Sequence, residues 1–183
     1  MSFFGSSYYN RGGLVARPGG TTYGADLLGC VVTYLSTAPP VAALLANGYG
    51  GGGYGTGGYG GEVKVYDELA PADAVTPFVV VADYDEALPG DSLEDQDVTL
   101  LLQVVSPDVD TARAVGAAVK RALDTPNINP VSQGRPPFAW AGGTETGCFR
   151  NHSRPRRRPG IGRLGRYVWV EEIEYEFRVS PQQ

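Results

Sequence analysis

At 183 residues, with 42% hydrophobic and 19% charged side chains, the chain suits one domain with its own core and is too short for several. Its net charge of −5 is segregated: residues 62 to 124 hold fourteen of the twenty acids against four bases, while seven arginines fall between Arg150 and Arg166. Unlike faces of that kind invite head-to-tail self-contact, and two distant cysteines, Cys30 and Cys148, exclude a disulfide framework or a cysteine zinc site.

Residues 1 to 23 show no period and mix glycine with Phe3, Phe4, Tyr8, Tyr9 and Tyr23, which reads as an extended arm. The stretch has no apolar core of the length that a secretory signal needs, and no segment approaches the ~20 apolar residues of a membrane span. The chain is therefore expected to be made in a cytoplasm and to meet no membrane. Ala25 to Asn47 turns helical through Leu27, Leu28, Val31, Leu35, Val41 and Leu45. Pro39 and Pro40 divide it into two short helices, because proline fits the first helical turn and not the interior.

Gly48 to Gly61, GYGGGGYGTGGYGG, is a low-complexity loop whose tyrosines Tyr49, Tyr54 and Tyr59 are candidates for contact with a partner. It contains a formal G-x-G-x-x-G at Gly53, Gly55 and Gly58, but a helix precedes it and a strand follows. That is the reverse of the dinucleotide-binding order. Strands are expected at Glu62 to Tyr66, at Phe78 to Ala82 and at Asp97 to Ser106, with an acidic turn around Pro89-Gly90. A helix capped by Asp108 or Asp110 runs to Leu123, with Ala112, Val115, Ala118, Val119 and Ala122 on one face.

Beyond a proline-rich crossing, Phe138 to Trp140 and Gly147 to Arg150 read as short strands, and residues 150 to 166 as an arginine-rich loop. The last strand is the clearest, alternating strictly from Tyr167 to Val179. At thirteen or so residues it would span ~40 Å, longer than one core requires, which predicts pairing beyond its own subunit. The sum is an α+β domain over residues 24 to 183: a mixed, largely antiparallel sheet of four to six strands with helices packed on one face.

The order helix, strand, strand, strand, helix, strands, with PFVVVADYDE at Pro77 to Glu86, DVTLLLQVVS at Asp97 to Ser106 and ARAVGAAVKRAL at Ala112 to Leu123, resembles the tail terminator and tail completion proteins of long-tailed bacteriophages. The resemblance spans roughly Ala25 to Val179 and rests on element order, without a catalytic or metal signature. It implies a virion protein of the tail or neck that forms a ring, most simply a homohexamer. Such a ring caps the tail tube, ends its growth and joins the head connector or stopper protein, while genomic DNA passes through without sequence-specific binding. The other virion role open to this pattern is a head–tail adaptor, stopper or other neck or capsid protein. The glycine/tyrosine loop and the arginine-rich loop depart from the compact family pattern.

No residue is expected to be catalytic and no cofactor or metal is implied. His152, the only histidine, sits among arginines without an evident orienting carboxylate. The acids Asp83, Asp85, Glu86, Asp91, Glu94, Asp95 and Asp97 lack calcium-loop spacing. The arginines are expected to pair with carboxylates of a neighbouring copy, so Arg154, Arg156, Arg157 and Arg158, with Glu172, Glu174 and Glu176, are the charged interface candidates beside the three tyrosines. Contact with DNA phosphates is the other reading of the arginines.

Overall fold

A computed structural model describes residues 23–46, 64–67, 69–71, 74–87, 95–128, 134–141, 143–159 and 167–181. The extended-arm reading of residues 1 to 22 and the glycine/tyrosine loop fall outside them. Helix α1 spans Tyr23–Thr37 and α2 spans Pro39–Ala46, with Pro39 in the first position of α2, where its missing N–H costs nothing. Leu27, Leu28, Val31 and Leu35 of α1 and Val41 and Leu45 of α2 are buried at helical spacing. No single helix among the described residues is long and apolar enough to cross a membrane; α1 and α2 do so only as a pair bent by 71°.

The strands are β1 (Val65–Asp67), β2 (Phe78–Ala87), β3 (Gln96–Ser106), β4 (Ala139–Trp140), β5 (Gly143–Pro159) and β6 (Tyr167–Pro181), with α3 (Val109–Leu123) after β3. They form one mixed sheet in the order β1-β2-β3-β6-β5-β4, in which only β1 and β2 run parallel. The α+β expectation, with helices on one face, holds. Val98, Leu100, Leu102 and Val104 of β3 and Ile173, Tyr175, Phe177 and Val179 of β6 meet α1, α2 and α3 in one continuous core. The alternation that places them there is the two-residue period of a strand.

Helix α3 buries the face expected of it, Ala112, Val115, Ala118, Val119 and Ala122, with Leu123. Asp108 is its cap, accepting from Thr111 N–H at 2.7 Å, and that bond holds its carboxyl below the ordinary aspartate range. On the other face of the sheet a smaller cluster joins Ala70, Phe78, Val80, Val105, Val168 and Val170.

Three expectations give way. β2 continues to Ala87, five residues beyond the apolar run, because β3 supplies ladder partners as far as Asp97. The cationic segment is no loop up to Pro159: it is the second half of β5, held against β6 in register from Arg154↔Glu172 to Pro159↔Tyr167. An edge position tolerates its prolines, which cannot donate to a second neighbour. Residues 160–166 lie outside the described set. The long last strand finds its partners within its own chain, β3 along one side from Trp169 to Val179 and β5 along the other from Tyr167 to Pro181.

Candidate interaction surface

The outer pair β5 and β6 carries most of the charged candidates, and the register fixes which side chains share a face. Arg154 stands across from Glu172, Arg156 from Val170 and Arg158 from Val168, all on the face away from the helices. Glu172 is nearly buried there, its side chain 6% exposed, and both Arg156 and Arg158 reach it: Arg156 Nε donates to Oε2 at 2.8 Å and Arg158 Nη2 donates to Oε1. One carboxylate thus serves two guanidiniums. Arg158 Nε remains buried without a partner among the described residues.

The intervening residues of β5 point to the helix side. Arg157 is exposed and lies over the Tyr167 ring, its guanidinium carbon 4.2 Å from the ring centroid. Arg154 is exposed too and makes no ion pair among the described residues. Further along, Glu174 accepts from Asn151 Nδ2 at 2.9 Å and lies 3.5 Å from His152 Nδ1. His152 therefore sits on a strand beside a carboxylate, and not in a loop without one. Glu176 is half-buried opposite Phe149, which is 44% exposed.

The candidates therefore divide. Arg156, Arg158 and Glu172 come together within one chain, and Glu174 has local partners, so these carboxylates are not reserved for arginines of a neighbour. Arg154 and Arg157 remain outward. Tyr49, Tyr54 and Tyr59 lie outside the described residues. Tyr167 and Asn151, which were not among the interface candidates, join the site through strand register. The alternation of Arg154, Arg156 and Arg158 was the available signal.

On the helix side the buried polar groups are spent on holding elements together. Arg135 forks onto Glu145 at 2.5 and 2.7 Å, with its guanidinium 4.0 Å from the Phe138 ring centroid. Glu145 also accepts from Phe138 N–H at 3.0 Å. Asp124 accepts from the Tyr175 hydroxyl at 2.8 Å and from Arg150 at 2.5 Å. Glu171 lies under α3 and accepts from Lys120 Nζ and Ser153 Oγ, each at 2.8 Å. A hollow by Thr125, Asn127, Arg135 and Cys148 opens beside these groups. Its cationic group is already paired, and burial pushes the Cys148 thiol up to about 12, far from the thiolate that a nucleophile needs. Among the described residues no group of three or more His, Cys, Asp or Glu side chains could hold a metal ion.

No protein-family model matches the sequence, and no curated protein matches it significantly. The fold is similar to that of a chain in the virion of a native gene transfer agent particle, with a TM-score of 0.57 and 18% identity. The similarity covers 88% of this chain and 100% of that one. At such identity the likeness is one of fold.

Proposed function

We propose that this chain is a structural virion protein, a tail terminator that assembles as a homohexameric ring, and that it performs no catalysis. The observation that carries the reading is the fold shared with a component of a virion particle, which takes in the whole of that chain. The chemistry agrees with it. The buried ionisable groups close on one another as structural pins, whereas the outward arginines Arg154 and Arg157 lie on the outer strand β5, which suits assembly more than turnover. In this role one face of the ring covers the end of the tail tube and stops its growth, the other meets the head connector or stopper, and DNA passes through the middle. The outward Arg154 and Arg157 serve the contact between copies, beside Arg156 and Arg158, which Glu172 of the same chain holds in place; Tyr49, Tyr54 and Tyr59 serve the contact with the tube protein.

The test is the mass of the purified chain in solution, alone and mixed with its tail-tube subunit, combined with electron microscopy of particles assembled without it. A ring in solution and tails of abnormal length without the protein support a terminator. Filled or leaking heads beside tails of normal length would instead assign it to the adaptor or stopper position. A chain that stays monomeric in the presence of the tube subunit would refute the ring.

A further inference from the structure

The sheet has two long edges that no strand of the same chain covers among the described residues. β1 pairs with β2 only along Val79–Val81, which leaves Ala82 to Ala87 at one edge. β4 pairs with β5 only at Gly143 and Thr144, which leaves β5 open as far as Pro159 at the other. These edges carry opposite charge. Asp83, Asp85 and Glu86 stand on the open stretch of β2, and no lysine or arginine occurs between Lys64 and Arg113. Arg154, Arg156, Arg157 and Arg158 stand on the open stretch of β5, and no acid occurs between Glu145 and Glu171.

Register places the two patches at diagonally opposite corners. Asp85 lies level with Thr99, Glu176 and Phe149, while Arg156 lies level with Val170 and Val105. From β2 to β5 is three strand spacings, about 14 Å, and from the level of Glu176 to that of Val170 is six residues, about 20 Å. The in-chain carboxylate that the arginines do reach, Glu172, is taken by Arg156 and Arg158, and Arg154 and the Tyr167-stacked Arg157 are exposed and make no ion pair among the described residues.

We propose that the arginine corner of β5 docks on the acidic end of β2 of the next copy of this chain, and that this single heterologous contact, repeated, closes the ring. The inference rests on the ring reading above and names the surfaces that build it. A second copy fits better than DNA because one contact satisfies both patches, and because a net charge of −5 works against overall attraction to polyphosphate. The contact is made by side chains and not by adding a strand. Pro155 and Pro159 remove N–H donors from β5, and arginine-lined edges resist backbone pairing.

Charge exchange tests it. Arg154→Glu with Arg157→Glu gives one full-length variant; Asp83→Lys with Asp85→Lys gives another; circular dichroism checks that each folds. Like charge then faces like charge in either variant alone, and self-association followed by sedimentation and native mass spectrometry is expected to weaken by at least about tenfold. An equimolar mixture is expected to recover assembly with the two chains alternating, since each presents the complement of the other. If the lysine variant does not fold, Asp83→Asn with Asp85→Asn takes its place and is expected to weaken assembly without the cross-rescue. A wild-type chain that forms rings while the variants assemble equally well, or a mixture of the two charge-reversed variants that shows no rescue, overturns this contact and leaves the ring reading standing. Salt-sensitive binding of a short DNA duplex that Arg154→Glu and Arg157→Glu abolish, with ring assembly intact, overturns it as well. A wild-type chain that forms no ring with the tube subunit overturns both.

Discussion

Individual residues set an alkaline limit on this fold. Cys148 is buried, and burial pushes its thiol from 9.0 up to about 12. Tyr175 is fully buried with its hydroxyl donating to Asp124; burial first, and that carboxylate second, raise its pKa above the usual tyrosine value. Both groups therefore keep their protons in the folded chain at a pH where the unfolded chain has lost them. The unfolded state then binds fewer protons, so stability falls as pH rises. For the thiol the contribution is complete below about pH 9 and drains away between 9 and 12. Urea midpoints measured from pH 8 to 11 are expected to fall, and Cys148→Ala is expected to flatten part of that fall. An identical slope in the variant would show that the thiol does not titrate on unfolding.

At the scale of elements, α3 and β6 are fitted to each other at one glycine. A Cβ at Gly116 would come within 2.8 Å of Glu171 Cδ, and Glu171 cannot retreat without leaving Lys120 and Ser153. Gly116→Ala gains about 1 kcal/mol of helix propensity but displaces a buried carboxylate from its donors, which costs more. The expected result is a net loss of about 1–2 kcal/mol by chemical denaturation. In a Glu171→Ala background the same change is expected to stabilise by up to about 1 kcal/mol. Additive effects of the two substitutions would refute the fit. Sequence reading found the buried face of α3 and the alternation of β6, because each is a period within one element. It could not find Gly116 against Glu171, Arg135 on Glu145 or Arg150 on Asp124, which join residues through the fold. It also read β5 as a loop from Arg150 onward, since prolines and arginines are strand-poor on average and are tolerated here only because the strand lies at the sheet's edge. The charged candidates were thus legible as residues, while the partition into in-chain pairs and outward groups waited on register.

Across the whole molecule, the helices close the core on one face of the sheet, and the proposed contacts fall on its edges and connections. The described core runs from Leu27 to Val179 and is closed by all three helices on one face of the sheet. A ring built by pure rotation must bring contacting patches to the same height along its axis. In the proposed ring, corners set diagonally across the sheet meet only if the strands run oblique to that axis, and the tube and the connector are then assigned to the connections at the sheet's ends. Tyr49, Tyr54 and Tyr59 lie in sequence between α2 and β1, outside the described residues, and in the proposed ring they are assigned to the tube contact. Tyrosines in contacts of this kind often contribute about 2 kcal/mol or more each, because a rigid amphipathic ring buries area at small entropic cost. Replacing all three with serine is expected to leave the denaturation midpoint and ring formation of the isolated chain unchanged. Affinity for the tail-tube subunit is expected to drop by at least about tenfold, read by calorimetry or co-sedimentation. A loss of stability above about 1 kcal/mol would place these tyrosines in the fold itself. Unchanged capture of the tube subunit would remove them from the contact.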